Sequence, residues 1–335
     1  LSPELNVVLK ELGYEEPTPI QRETIPHLLA GRDVLGQAAT GTGKTAAFAL
    51  PLVERLEAGV RQPFTTRALV LVPTRELAMQ VAEAIRTYGR RRKLLVAAVF
   101  GGQELFHQVK VLKTGVDVVV ATPGRALDHI GRKTLKLGGV RFVVLDEADE
   151  MLDMGFAEDL ETILAELPEN RQTALFSATL PARIATIAHQ HLKDPVKVNI
   201  ARSLESGTVP NIRQVAYVVR RDQKVPALIR LLDVENPPSA LIFCRTRVEV
   251  ESLTQALSQR GLAAQALHGG MTQEQRDLVL RRFKGGELRF LVATDVAARG
   301  LHVENLSHVI NFDLPVSVEP YVHRIGRTGR AGREG

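Results

Sequence analysis

The chain has 335 residues, more than one hydrophobic core usually serves, so two domains are expected. Hydrophobic residues make up 44% and charged residues 24%, which excludes disordered and fibrous proteins. The net charge of +5 is compatible with a polyanionic partner but does not require one. No apolar run approaches the roughly 18 residues that cross a bilayer, so we expect a cytoplasmic protein with no membrane partner.

A single cysteine, Cys244, excludes an intramolecular disulfide and a cluster of thiolate metal ligands. It lies in an apolar run at 241–244, which predicts a buried thiol. A basic run at 90–93 predicts a solvated surface, with RNA contact as the alternative.

Short, continuous apolar runs alternate with helix-length segments in the first part of the chain. Such runs are typical of parallel strands that are buried on both faces by helices. The pattern predicts an α/β fold. The predicted strands are 33–36, 68–72, 96–100, 116–121, 142–145 and 173–176.

The second part of the chain repeats the plan of the first. ALVLVPT at 68–74 resembles ALIFCRT at 240–246, and the glycine pairs at 101–102 and 269–270 follow at a similar spacing. Two copies of one α/β unit explain this order, although buried strands also resemble one another by chance. Polar residues collect between the copies. We therefore predict a first domain at 1–200, a linker at 201–210 and a second domain at 211–335.

A glycine-rich segment follows the first predicted strand. Gly41 and Gly43 allow the backbone to turn its N–H groups toward phosphates, Lys44 reaches phosphate oxygens, and Thr45 offers a hydroxyl to magnesium. Ala38 stands where the general pattern has its first glycine. The segment predicts a phosphate-binding loop, and the alternative is a glycine-rich turn that merely precedes a helix.

Two adjacent carboxylates end the predicted strand at 142–145. Asp146 suits the outer shell of a magnesium ion, and Glu147 suits the base that orients water. Without the phosphate loop the same pair would be read as a solvated turn.

Residues 146–149 spell Asp-Glu-Ala-Asp, and the chain resembles the DEAD-box RNA helicases over nearly its whole length. Further motifs at 13–21, 73–78, 122–125, 177–179, 293–300 and 323–330 follow in the order of that family. The resemblance implies two tandem RecA-like domains, each a parallel sheet flanked by helices. It also implies an ATPase and RNA helicase that uses ATP and magnesium.

The resemblance assigns the nucleotide site residue by residue. Gln21 would hydrogen-bond the adenine edge, because its amide both donates and accepts. Thr45 and Asp146 would face magnesium, partly through water. The implied ATP contacts are Gln21, Thr40, Gly41, Thr42, Gly43, Lys44 and Thr45, and the implied catalytic residues are Lys44, Asp146, Glu147, Arg327 and Arg330.

The resemblance also implies an RNA groove and residues that couple it to hydrolysis. Contacts to phosphate and sugar bind RNA without reading its sequence, so single strands and short duplexes are the expected partners. The implied RNA contacts are Pro73, Arg75, Gly102, Thr122, Arg125, Thr246, Gly270 and Thr294. The implied coupling residues are Asp149, Ser177, Thr179, Asp295, Arg299, His323 and Arg324.

Arg327 and Arg330 lie in the copy that lacks a phosphate loop, so they reach the γ-phosphate only if the two domains close. We therefore expect them to act as arginine fingers, with closure driving local, non-processive unwinding of RNA or remodelling of RNA–protein complexes. A DNA helicase on the same domains and an ATP-gated RNA clamp remain alternatives.

The chain departs from the family pattern at three places. His302 stands where the family commonly has an aspartate that contacts ribose. The upstream aromatic residue that stacks on adenine would precede Leu1, and the second domain is expected to be truncated at its C-terminus. Protein partners are expected to dock on terminal segments outside this chain.

Overall fold

The computed structural model describes residues 1–39, 41–56, 62–200, 212–298, 306–316, 318–329 and 335. The chain divides into two compact units, Leu1–Arg202 and Ser203–Gly335. The predicted linker at 201–210 lies outside the described residues. In the described ranges, no helix is both long and apolar enough to cross a membrane.

Seven parallel strands form the sheet of the first unit within the described residues, in the order β3-β4-β2-β5-β6-β1-β7. The six predicted strands are confirmed. The seventh, at the edge, was missed because Lys197 and Asn199 are exposed and interrupt its apolar pattern. The strands are β1 Val34–Gln37, β2 Ala68–Leu71, β3 Val96–Val99, β4 Val118–Ala121, β5 Phe142–Leu145, β6 Gln172–Ser177 and β7 Val196–Asn199.

Helices cover both faces of this sheet, because alternate residues of each strand point to opposite sides. Val70 packs into the core on one face, and its neighbours Leu69 and Leu71 pack into the core on the other. The first core includes Phe48 against Phe176, with ring centroids 5.6 Å apart. The helices are α1 Pro3–Glu11, α2 Pro19–Leu29, α3 Lys44–Arg55, α4 Arg75–Tyr88, α5 Leu105–Lys113, α6 Pro123–Gly131, α7 Ala148–Asp153, α8 Ala157–Ala165 and α9 Ala182–His191.

The second unit has a four-stranded parallel sheet in its described part, in the order β11-β8-β10-β9. Its strands are β8 Ala240–Phe243, β9 Ala264–Leu267, β10 Phe290–Ala293 and β11 His308–Asn311. Its helices are α10 Lys224–Glu235, α11 Arg247–Gln259, α12 Gln273–Lys284, α13 Asp295–Ala298 and α14 Val318–Ile325. The predicted α/β fold, with two RecA-like domains, is confirmed.

The predicted internal repeat is visible in the strand order. The similarities at 68–74 and 240–246 and at 101–102 and 269–270 pair β2 with β8 and β3 with β9. VAT at 120–122 and at 292–294 pairs β4 with β10, and LD at 145–146 with FD at 312–313 pairs β5 with β11. The first sheet contains β3-β4-β2-β5, and the second sheet, read from its other edge, is β9-β10-β8-β11. The paired strands therefore occupy the same relative places, which similar composition alone would not produce.

Two expectations about single segments have different outcomes. Cys244 is a buried free thiol, as predicted, and burial raises its pKa to about 12.

The basic run at 90–93 is not simply a solvated surface, because the Arg92 side chain is only 21% exposed. Its guanidinium donates to the carbonyls of Val53 and Glu54 at 3.2 and 2.7 Å and pairs with the Glu54 carboxylate at 2.7 Å. Arg92 thus satisfies carbonyls in the last turn of α3.

Asp33 joins three strands at the start of β1. Its buried carboxylate accepts from the N–H of Thr173 at 2.8 Å and from the N–H of Lys193 at 2.6 Å. Its carbonyl accepts from the N–H of Val196 at 2.9 Å. These bonds fix β6 and β7 beside β1, the strand that leads into the glycine-rich loop.

We expect Asp33→Ala to lower the free energy of unfolding by about 2–4 kcal/mol, since two backbone N–H groups lose their acceptors. Urea denaturation followed by circular dichroism measures this loss. Glu83→Ala is the control, because Glu83 forms only an exposed ion pair with Arg86 and should cost less than about 1 kcal/mol. Equal losses in the two variants would contradict the role of Asp33.

Candidate active site

The glycine-rich loop connects β1 to α3. Gly41 and Gly43 have φ angles of 84° and 92°, a left-handed conformation that glycine adopts without strain. Gly43 is the N-cap of α3, and Lys44 begins the helix. The first N–H groups of a helix have no acceptor within it, so this loop presents a helix terminus at which an anion can bind. Thr40 lies outside the described residues, and the Thr42 hydroxyl donates to the Ala39 carbonyl at 2.8 Å.

Two buried charged side chains at this site each have a polar atom with no hydrogen-bond partner among the described residues. Lys44 is 5% exposed and its Nζ has no acceptor, while Glu147 is 4% exposed and its Oε2 has no donor. Buried groups of this kind are costly unless a ligand completes them. A magnesium nucleotide fits this pair, because phosphate oxygens accept from Lys44 and a nucleophilic water donates to Glu147.

Asp146 follows the end of β5 and interacts electrostatically with both of these charges. Its Oδ1 accepts from the N–H of Glu147 at 3.0 Å. Burial raises the pKa of Asp146, the positive charge of Lys44 opposes that rise, and the negative charge of Glu147 adds to it. A divalent cation at this carboxylate would favour its ionised form, as the expected magnesium role of Asp146 and Thr45 requires. Glu147 itself has a φ of 53°, a strained backbone held at the site.

The carboxylate motif is hydrogen-bonded to the segment that follows β6. The Asp149 N–H donates to the Ser177 hydroxyl at 3.1 Å. The Thr179 N–H and hydroxyl both donate to Asp149 Oδ2, at 2.7 and 2.9 Å. The three residues expected to couple hydrolysis to unwinding in this domain therefore form one hydrogen-bonded group.

The Gln21 side chain is buried against the glycine-rich loop. Its Nε2 donates to the Gly43 carbonyl at 3.0 Å, and its Oε1 accepts from the Thr18 N–H at 3.0 Å. One amide N–H and one oxygen lone pair are left beyond these two bonds. Gln21 thus supports the loop, a contact that sequence reasoning did not predict.

The residues expected to contact RNA in the first unit follow three neighbouring strands. Pro73 and Arg75 follow β2, Gly102 follows β3, and Thr122 and Arg125 follow β4. Arg75 Nη1 lies 3.7 Å from the position of a Cβ added at Gly102. Thr122 is the N-cap of α6, and its side chain makes no capping hydrogen bond. These residues therefore lie together on one half of the sheet edge, beside the N-terminus of α6. A phosphate can bind at such a helix N-terminus.

Comparison with known proteins agrees with this geometry. A family model described as DEAD/DEAH box helicase matches residues 18–187, and one described as Helicase conserved C-terminal domain matches residues 223–332. The chain belongs to the DEAD-box helicase family.

The similar proteins include bacterial members of this family. The chain is 49% identical over its full length to DEAD-box ATP-dependent RNA helicase CshA of Bacillus cereus and covers 63% of that relative. It is likewise 49% identical to CshA of Geobacillus kaustophilus, of which it covers 71%. The chain thus spans about 63% of the length of the Bacillus cereus relative.

Solved structures of the family share the fold. A DEAD box protein from Methanococcus jannaschii is 41% identical, with a TM-score of 0.58, and matches all of this chain and 89% of that one. Saccharomyces cerevisiae Dbp5 bound to RNA and ADP BeF3 is 31% identical, with a TM-score of 0.87, and matches all of this chain and 86% of that one.

The helicase family motifs of the second unit also follow neighbouring strands. Thr246 follows β8 and caps α11 by accepting from the Glu249 N–H at 3.2 Å. The Gly270 N–H donates to His268 Nδ1 at 3.2 Å after β9, and Thr294 follows β10. These three residues share one side of their sheet edge, as their counterparts do in the first unit.

Two expected coupling residues of the second unit are joined by a bidentate ion pair. Arg324 donates to both oxygens of Asp295 at 2.6 and 2.7 Å, and to Asn311 Oδ1 at 2.9 Å. His323 lies beside Arg324 in α14, and Arg327 is buried. Arg299, His302 and Arg330 lie outside the described residues.

Sequence reasoning missed a buried polar group between two of the expected RNA segments. Gln108 Nε2 donates to the Phe100 carbonyl at 2.9 Å and to Gln103 Oε1 at 3.1 Å. Gln108 Oε1 accepts from Arg125 Nη1 at 3.3 Å and lies 3.1 Å from His129 Nε2. Burial lowers the pKa of His129. A lone glutamine on a helix gives no sequence signal, because most glutamines on helices face solvent.

We expect Gly43→Ala to weaken binding of a magnesium nucleotide by roughly 5- to 150-fold, because a strained residue costs about 1–3 kcal/mol. The added Cβ would lie 2.5 Å from Gln21 Nε2 and 2.9 Å from Thr18 Oγ1, at a φ of 92°. Titration with a fluorescent ATP analogue measures the affinity. Gly138→Ala is the control, since its Cβ meets no heavy atom within 4 Å. Unchanged affinity in Gly43→Ala would refute the proposed loop geometry.

Proposed function

We propose that the chain is the core of an ATP-dependent RNA helicase, in which RNA-stimulated ATP hydrolysis drives closure of two domains and local, non-processive strand separation or remodelling of RNA–protein complexes. This proposal rests on the way the expected site residues are distributed along one edge of the first sheet, with nucleotide residues on one half and RNA residues on the other. Expected nucleotide residues follow β1 and β5, expected coupling residues lie at the end of β6 and just after it, and expected RNA residues follow β2, β3 and β4. The names of the bacillary relatives and the RNA-bound state of Dbp5 support the same function.

Hydrolysis is assigned to residues of the first unit. Bound ATP with magnesium supplies the phosphoanhydride that is split to ADP and phosphate. The loop N–H groups and Lys44 bind the phosphates, and Thr45 and Asp146 hold the metal, partly through water. Glu147 orients the attacking water through its carboxylate, and Gln21 presents its remaining amide N–H and lone pair to adenine.

RNA binding is assigned to strand ends and helix termini in both units. The contacts fall on phosphate and sugar, so binding does not depend on RNA sequence. In the first unit they come from Pro73, Arg75, Gly102, Thr122 and Arg125, and in the second from Thr246, Gly270 and Thr294.

Closure of the two domains is proposed to connect ATP hydrolysis to RNA binding. Arg327 and Arg330 belong to the unit without a phosphate loop and act as arginine fingers in the closed form, a role worth roughly 10³- to 10⁵-fold in rate. Asp295, Arg299, His323 and Arg324 couple closure to the RNA contacts. A cytoplasmic location and protein partners on terminal segments complete the proposal.

We expect Lys44→Ala to reduce RNA-stimulated ATP hydrolysis at least about 100-fold, because the buried ammonium that binds the phosphates is lost. Phosphate release is measured with RNA, with DNA of the same sequence, and without nucleic acid. Lys10→Ala is the control, since Lys10 is an exposed residue of α1. Equal stimulation by RNA and DNA would contradict RNA specificity, and RNA retention without any strand separation would favour the ATP-gated clamp.

We expect Thr179→Val to separate hydrolysis from unwinding. The variant loses the hydroxyl that donates to Asp149 but keeps the backbone N–H bond, so roughly 1 kcal/mol or more of the contact is removed. Unwinding of a short RNA duplex should fall about 10-fold, while ATP hydrolysis changes less than about threefold. Thr186→Val is the control, because its hydroxyl donates only within α9. Equal losses in both assays would contradict a coupling role.

A further inference from the structure

Phe106 is the second residue of α5 and begins an unusual exposed face. All eleven phenylalanines of the chain lie among the described residues, and Phe106 is the most exposed of them, at 72%. Single exposed apolar residues are common on protein surfaces, so exposure alone carries no function. Three further features of this residue point to a ligand.

The first feature is its place next to the expected RNA segment. Gly102 lies only four residues before Phe106, and both are exposed. Gly102 has a φ of 78° and lies beside the guanidinium of Arg75. The aromatic ring thus follows closely in sequence after the loop that, in the proposed function, contacts the RNA backbone.

The second feature is the rigid attachment of this part of α5. Gln108, two residues after Phe106, is buried and uses both ends of its amide. It donates to the Phe100 carbonyl and to Gln103, and it accepts from Arg125. The ring therefore projects from a helix that is fixed to two expected RNA segments. A rigid aromatic loses little conformational entropy when a planar group stacks on it.

The third feature is the charge on the same helical face. Lys110 and Lys113 follow Phe106 at i+4 and i+7, the spacing of one face of a helix, and both are exposed. An aromatic residue beside cationic residues is the combination that binds single-stranded nucleic acid, with the ring against a base and the cations near phosphates. An apolar surface of a partner protein, by contrast, offers no negative charge to these two lysines.

We infer that Phe106 stacks on a nucleobase of the RNA strand bound along the first unit, with Lys110 and Lys113 near its phosphates. This inference rests on the proposed function and adds a base contact to a site otherwise made of phosphate and sugar contacts. Every base has a π-face, so the contact increases affinity without selecting a sequence.

The chain contains no tryptophan, which allows a direct spectroscopic test. Phe106→Trp introduces one indole, and we expect short single-stranded RNA, added with a non-hydrolysable ATP analogue and magnesium, to quench its fluorescence. Abasic RNA of the same length should bind without this quenching. Val111→Trp is the matched control, because Val111 is exposed on the same helix but points about 140° away from Phe106.

Affinity provides the second measurement. Phe106→Ala should weaken RNA binding about 5- to 10-fold, at the low end for a base stacked on an aromatic ring, and Phe106→Tyr should restore it. ATP hydrolysis without RNA should stay unchanged in both variants, which shows that they fold.

RNA-stimulated hydrolysis by the unsubstituted chain is measured first, to separate the two proposals. If stimulation is present but Phe106→Trp is not quenched, or abasic RNA quenches it equally, the stacking inference is overturned and the helicase proposal stands. If stimulation and RNA binding are both absent, both proposals fail. An unchanged RNA affinity in Phe106→Ala also overturns the inference.

Discussion

Parallel strand pairing is the constraint on which the rest of this structure depends. Parallel strands all end at the same sheet edge, so every loop after a strand is brought to one surface. In the first unit this edge receives the glycine-rich loop after β1, the carboxylate pair after β5 and the Arg75 segment after β2. Residues far apart in the chain thus become neighbours at this edge.

The energetic cost of this arrangement falls mainly on Lys44 and Glu147. Lys44 and Glu147 carry buried polar atoms without partners in the described residues, and Glu147 also has a strained backbone. Two apolar cores, one on each face of the sheet, provide the stability that offsets these local penalties. A ligand that pairs both charges gains binding energy that a relaxed site would not offer.

Polar side chains organise the two halves of the edge separately. Asp149 joins the carboxylate motif to Thr179 on the half proposed to bind nucleotide, and Gln108 joins Gln103 to Arg125 on the half proposed to bind RNA. Asp149 and Gln108, which link these groups, are themselves buried, and hydrogen bonds away from water hold a single geometry more firmly. A change at one half can therefore move a connected set of residues together.

The sequence by itself determined the α/β class, six of the seven strands of the first sheet, the internal repeat and the types of residue at the phosphate loop and the carboxylate motif. These follow from local composition and spacing, which a chain carries without folding. The tertiary structure alone decided the strand order, the edge strand β7, the contact of Gln21 with Gly43, the hydrogen bonds of Arg92 to α3 and the burial of Gln108. Each of these depends on partners distant in sequence, and no local pattern specifies which partner a polar side chain will meet.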